Sequence, residues 1–170
     1  MNRYLIIILT AFLFACSDDP KDLPPIDMNK IQEVLLEANK RAISKEANQI
    51  DEYVKSKGLN IIKTQTGLCY QIYKDLEGPI IQKEKTAVVK YTVKLLDGTL
   101  CYSTEDKTEE FIVDKDYVES GLHEGIQFMS TGDKAIIIMP SHLAHGLAGD
   151  LKKVPMRSTI VYDIELLEIK

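Results

Sequence analysis

Two histidines three residues apart, His142 and His145, stand in the stretch MPSHLAHG at 139–146. That composition suits half a metal site, a base beside a nucleophile, or a turn leaving a strand. A zinc site wants three or four ligands, and no cysteine or carboxylate lies near this pair at a recognisable ligand spacing, so neither metal nor cofactor is expected. A nucleophilic pairing of Cys101 with His145 would need an oxyanion site and a third, orienting group, and the sequence identifies neither. The simplest reading is a loop that follows a buried strand, with His142 on the surface. His123, beside Glu124, is expected to be solvated.

The elements that would position these residues begin after an unusual N-terminus. Arg3 precedes an apolar run from Tyr4 to Ala15 that stops at Cys16. The run is too short to span a bilayer and has the layout of a secretory signal, and LFAC at 13–16 resembles the lipobox of bacterial lipoproteins. That resemblance implies a signal peptide at 1–15 and lipid, such as palmitate, on Cys16, which becomes the first mature residue. Cleavage there leaves 155 of the 170 residues and, with Arg3 lost, takes the formal charge from −5 to −6. An acidic balance without a basic cluster excludes nucleic acid as a partner, and Asp18 and Asp19 argue against a polybasic membrane contact. With Cys16 on lipid, Cys69 and Cys101 remain. They could bridge in an oxidising compartment, but they lie in separate strand-like segments and are read as free thiols.

Residues 16–28 hold three prolines and four aspartates within SDDPKDLPPID, the composition of an extended tether. Over 29–60 the pattern becomes helical, with Ile31, Leu35, Ala38, Ala42, Ile50 and Tyr53 on one stripe, a possible break near Ser44 and Gly58 to close the end. The stripe would pack on the following domain or join two copies as a homodimer through the 29–57 helix. From Ile61 the period turns to two: Ala87, Val89, Tyr91, Val93 and Leu95 share one strand face, and Asp97-Gly98 supplies a hairpin turn. KAIIIM at 134–139, apolar after its lysine, reads as a central strand, TIVYDIELLEI at 159–169 alternates, and SGLHEGIQFM at 120–129 forms one short helix with Ser120 as its cap. Several strands, one short helix and no βα repetition give an α+β, antiparallel domain over 61–170.

Three segments of that domain, VVKYTVKLLDGT at 88–99, GLHEGIQFMSTGDKAIIIMPSHLAHG at 121–146 and STIVYDIELLEIK at 158–170, follow in the order and spacing of the FKBP-type peptidyl-prolyl isomerases (rotamases). The resemblance covers Gly67 to Lys170. It implies a curled antiparallel sheet of five or six strands over one short helix, preceded here by the long N-terminal helix, with a proline pocket between helix and sheet. By position, Tyr91 matches the pocket tyrosine on the first long strand, Phe111 a wall aromatic, Val118 the valine entering the helix, Leu122 the floor and Tyr162 the aromatic on the last strand. The departures are Cys101-Tyr102 in place of the usual Phe-Asp, which removes a carboxylate, and His145 in place of a tyrosine at the rim. Glu119 stands where an isoleucine is common, and there the backbone N–H is the functional group. The resemblance implies action on proline-containing polypeptides in the cell envelope, at the inner or outer membrane with the domain periplasmic. The lipidated start and the helix further resemble the FKBP-like lipoproteins associated with gliding motility. The alternative is a noncatalytic peptide-binding module or chaperone in such an assembly, and a third reading is an envelope lipoprotein whose helix mediates association.

Overall fold

A computed structural model describes residues 27–170; the expected signal peptide, Cys16 and nearly all of the expected tether lie outside the described residues. Helix α1 runs over Met28–Lys57. It starts at Asp27, whose Oδ1 accepts from the N–H groups of Asn29 and Lys30 at 3.0 and 3.2 Å, satisfying donors that a helix start leaves open. It ends at Gly58, in the left-handed region at φ 63°, where Gly58 N–H donates to Lys55 O and Leu59 N–H to Val54 O, the pair of bonds that closes a helix on glycine. The helix is continuous through Ser44, because neither glycine nor proline interrupts residues 28–57.

The chain divides into two compact units within this helix, one up to Asn39 and one over Lys40–Lys170. In the first, Ile31, Val34, Leu35 and Leu36 are exposed. In the second, Ile50 is the buried residue of α1, so of the expected stripe this position alone is fully covered. Ile50 clusters with Cys69, Ile138 and Val161. Glu46, one turn earlier, accepts from Ser141 N–H at 2.7 Å, Ser141 Oγ at 3.0 Å and Thr159 Oγ1 at 2.8 Å.

The remaining elements are β1 (Ile62–Lys63), β2 (Cys69–Lys74), β3 (Thr86–Leu95), β4 (Leu100–Ser103), β5 (Glu109–Ile112), α2 (Ser120–Ile126), β6 (Lys134–Met139), a 3-10 turn (Ser141–Leu143) and β7 (Ile160–Ile169). All strand pairs are antiparallel, in a seven-stranded sheet ordered β1-β2-β6-β7-β3-β4 with β5 also on β3. The protein is thus α+β, and the five or six strands expected become seven, the two-residue β1 included. Strand β6, apolar after Lys134, lies inside the sheet between β2 and β7. On β3 the alternation holds: Ala87, Val89 and Val93 are buried in the main core and Tyr91 and Leu95 pack against it. Asp97-Gly98 forms the β3–β4 turn, with Gly98 at φ 91° and Asp97 Oδ1 accepting from Thr99 N–H at 2.8 Å.

Helix α2 sits tightly on the sheet through its glycines. A Cβ at Gly121 would fall 2.9 Å from the Met139 side chain, and one at Gly125 would fall 2.8 Å from Ile137 Cδ1, so only glycine lets the helix approach β6 this closely. Leu122 and Ile126 complete the contact within the main core. Ser120 is not the cap: Glu119 occupies that position without a side-chain capping bond, and Ser120 Oγ instead donates to Leu143 O at 3.2 Å. The Glu119 carboxylate is engaged elsewhere.

Candidate functional site

Between α2, the sheet and the loop after the 3-10 turn lies a cavity of about 560 Å³. Each wall follows from a local rule. The side-chain alternation of β3 turns Val89 and Tyr91 inward. Antiparallel register sets Val93 opposite Tyr162 and Tyr91 opposite Ile164, which makes Tyr91 and Tyr162 diagonal neighbours on one face, with ring centroids 5.2 Å apart. Phe111 arrives from β5, Val118 and Glu119 from the approach to α2, Leu122 from the helix, Tyr102 from β4, and His145 from the loop.

Of the residues expected at the site, Tyr91, Tyr102, Phe111, Val118, Glu119, Leu122, His145 and Tyr162 all line this one cavity. Cys101 does not. It is buried in the core, with its Sγ directed to Thr99 O at 3.8 Å and Lys153 O at 3.6 Å, because strand alternation turns it away from the face that carries Tyr102. Burial, with Asp150 nearby, pushes its thiol above the usual value, so it stays protonated at neutral pH, and it forms no pair with His145. Cys69 is likewise buried and unpaired.

The floor is apolar and closed: Phe111, Leu122 and Tyr162 are all buried. Around it, three phenols meet three carboxylates. Tyr91 Oη donates to Glu109 Oε2 at 2.6 Å, Tyr162 Oη to Glu119 Oε2 at 3.1 Å, and Tyr102 Oη to Asp150 Oδ2. The other Glu119 oxygen, Oε1, lies 3.0 Å from His145 Nε2. Tyr162 is raised well above the usual phenol range by burial first and then by Glu119, and Tyr91 by burial and Glu109. Tyr102 is pushed up to about 12, chiefly by its bond to Asp150. All three keep their protons and act as donors.

Asp150 was not anticipated. Burial acts to raise its carboxyl, but the Tyr102 hydroxyl and the N–H groups of Lys152, Val154 and Lys153 more than offset this and hold it well below the usual carboxylate range. Its Oδ1 collects those three backbone donors at 2.8–2.9 Å, a turn of the kind aspartate favours. The sequence signal is an Asp directly after Gly149 in a loop. What it could not show is the bond to Tyr102, through which a carboxylate absent from position 102 returns from another loop. Glu119 is a second difference: its carboxylate, and not only its backbone, belongs to the cavity.

His123 is not a solvated side chain. Its Nδ1 accepts from Asp114 N–H at 2.9 Å and its Nε2 lies 3.0 Å from Asp116 O, so it carries its proton on Nε2 and ties the loop before α2. Its ring meets Phe111 edge-on, 5.8 Å between centroids, and so backs the cavity wall. His142 is exposed, with Nε2 2.9 Å from Thr66 O. Among the described residues, no group of three or more His, Cys, Asp or Glu side chains is placed to hold a metal ion.

The site therefore presents an apolar slot with hydroxyl donors and carboxylates around it and no activated nucleophile. The family described as FKBP-type peptidyl-prolyl cis-trans isomerase matches residues 78–167. The chain is 28% identical over 148 residues to a probable FKBP-type peptidyl-prolyl cis-trans isomerase of Haemophilus influenzae, covering 84% of this chain and 61% of that protein. It is 32% identical over 120 residues to the FKBP-type peptidyl-prolyl cis-trans isomerase FkpA of Escherichia coli, covering 71% and 43%, so it spans only about half the length of these curated relatives. The crystal structure of FkpA from Escherichia coli superposes with a TM-score of 0.66 at 26% identity, over 100% of this chain and 83% of that one. With the match extending from Gly78 to Leu167, across β3, the cavity and β7, the chain belongs to the FKBP-type peptidyl-prolyl cis-trans isomerase family, a family of enzymes.

Proposed function

We propose that this chain is a peptidyl-prolyl cis-trans isomerase held at the cell envelope by lipid on Cys16 and acting on proline-containing segments of exported proteins. The observation that carries the catalytic reading is the closed apolar floor of Phe111, Leu122 and Tyr162 beneath Val118 and Tyr91, in a chain of this family. Rotation about an X-Pro bond must surrender amide resonance against a barrier of about 18–20 kcal/mol. It needs no covalent intermediate. A slot that takes the proline ring and excludes water favours the twisted, less delocalised amide, and a donor fixed near the carbonyl stabilises it further. The Glu119 N–H makes no hydrogen bond among the described residues and is available to a substrate carbonyl.

The purified full-length chain in detergent should accelerate isomerisation of a prolyl tetrapeptide, and Phe111→Ala should remove most of that acceleration. A wild-type rate equal to buffer alone would overturn the catalytic reading. The anchor rests on Arg3, the apolar run and LFAC in the sequence. Cys16→Ser should move the protein from the membrane fraction to the soluble one with its fold unchanged, and recovery in membranes at the wild-type level would count against lipidation.

One observation favours a second reading, a noncatalytic peptide-binding module in an envelope assembly such as motility machinery. His145 stands at the rim in place of a tyrosine, and its Nε2 is engaged by Glu119. Peptide binding without rate acceleration would select it. The exposed Ile31, Val34 and Leu35 of α1 support, in either case, pairing of two copies through the 29–57 helix, which sedimentation of the full chain as a monomer would refute.

A further inference from the structure

The cavity is more acidic than a slot for a neutral proline ring requires, and its charges are unevenly matched. Glu110 has a cation, Lys170, at 2.6 Å. Asp150 lies in the turn that carries Lys152, another lining residue, and Lys153, whose Nζ is 5.1 Å from the Tyr102 ring. Glu109 and Glu119 differ from both. Glu109, exposed on β5, has the neutral Tyr91 hydroxyl as its partner and no cationic partner among the described residues. Glu119 is bound by the neutral Tyr162 hydroxyl and by His145, which carries charge only when protonated. A hydroxyl donor satisfies a lone pair and leaves the negative charge in place.

We propose that Glu109 and Glu119 make this site selective for prolyl segments carrying lysine or arginine immediately before the proline. This rests on the reading of the cavity as a proline slot. With the ring on the Phe111–Leu122 floor, the preceding residue is the one whose carbonyl rotates, and its side chain starts one bond pair from the slot. A lysine or arginine stem is long enough to lie along the apolar wall while its head reaches the rim. There it meets the exposed Glu109 and, deeper, the mostly covered Glu119, carboxylates lacking a full positive counterpart, in a concave site whose low-dielectric walls strengthen the attraction. A leucine in the same place gains only the wall, and a glutamate is repelled.

The test is an isomerase assay on the full chain with three peptides that differ only in having Lys, Leu or Glu before the proline. At low ionic strength kcat/KM should fall in that order, with Lys above Leu by roughly three- to tenfold, the range that one or two partly exposed ion pairs supply, and the gap should shrink in about 0.5 M salt. Glu109→Gln and Glu119→Gln keep a carbonyl acceptor for Tyr91 and Tyr162 and should each lower the Lys peptide's rate more than the Leu peptide's. Activity with Leu equal to or above Lys, or a Lys preference that survives both variants, overturns the proposal and leaves the isomerase reading standing. If no peptide is turned over, the isomerase reading fails, and calorimetric binding of the same three peptides decides the selectivity: equal affinities overturn it.

Discussion

The two faces of the sheet are held by different physics. On the α2 side, Leu122, Ile126, Ile137 and Met139 belong to one large apolar core, and two glycines let the helix down onto it until a single added methyl would collide. On the α1 side, four buried residues form a small cluster, and one carboxylate, Glu46, grips the 3-10 turn and the start of β7. The first face is specified by volume and the second by a few directed bonds. The cavity is built on the first, so damage there should reach function, whereas damage to the second should cost stability while leaving the slot intact.

Urea unfolding of variants on the two faces separates these cases. Leu122→Ala should cost about 3–4 kcal/mol, the middle of the range for large-to-small core changes, and weaken prolyl-peptide binding at the same time. Ile50→Ala should cost about 2–3 kcal/mol by the same mechanism with binding unaltered, and an equal loss of binding at both positions would break the division. Glu46→Ala removes the acceptor of the buried Ser141 and Thr159 groups. It should cost about 1–3 kcal/mol, and Glu46→Gln should recover part of that.

The smallest effect is electrostatic and belongs to the cavity rim. Asp150 is held below its ordinary value in the folded protein, so its contribution is fully present above the unfolded value of about 3.9 and is lost as pH falls from there toward the lower folded value. The acid limb of a stability curve should therefore be steeper in the wild type than in Asp150→Asn. Parallel limbs below about pH 4 would remove Asp150 from the account.

Much of the volume-specified face was legible in the sequence. The alternation through Ala87, Val89, Tyr91, Val93 and Leu95, the Asp97-Gly98 turn and the apolar run at 135–139 each state a local rule, and β3, its hairpin and the interior strand β6 follow them. Tyr91, Phe111, Val118, Leu122 and Tyr162 could be named as cavity residues because the resemblance carried positions along the chain. The directed bonds were not legible. Glu46 meets partners 95 and 113 residues away, and Tyr102 meets Asp150 across 48; periodicity tells which face a residue takes, not which polar atom it finds there. The same limit hides the part that the Glu119 carboxylate takes in the cavity, and makes a histidine beside a glutamate read as solvated.

That histidine has a use in solution. With both ring nitrogens engaged by the loop at 114–116, the His123 Nε2 proton should exchange slowly enough to give a resolved nitrogen-correlated signal in a spectrum where exposed imidazoles fade. It sits edge-on to Phe111, behind the cavity wall. A peptide that shifts Phe111 as it enters the slot moves this resonance without touching the imidazole, so the fold carries its own spectroscopic gauge of occupancy, requiring neither a label nor turnover.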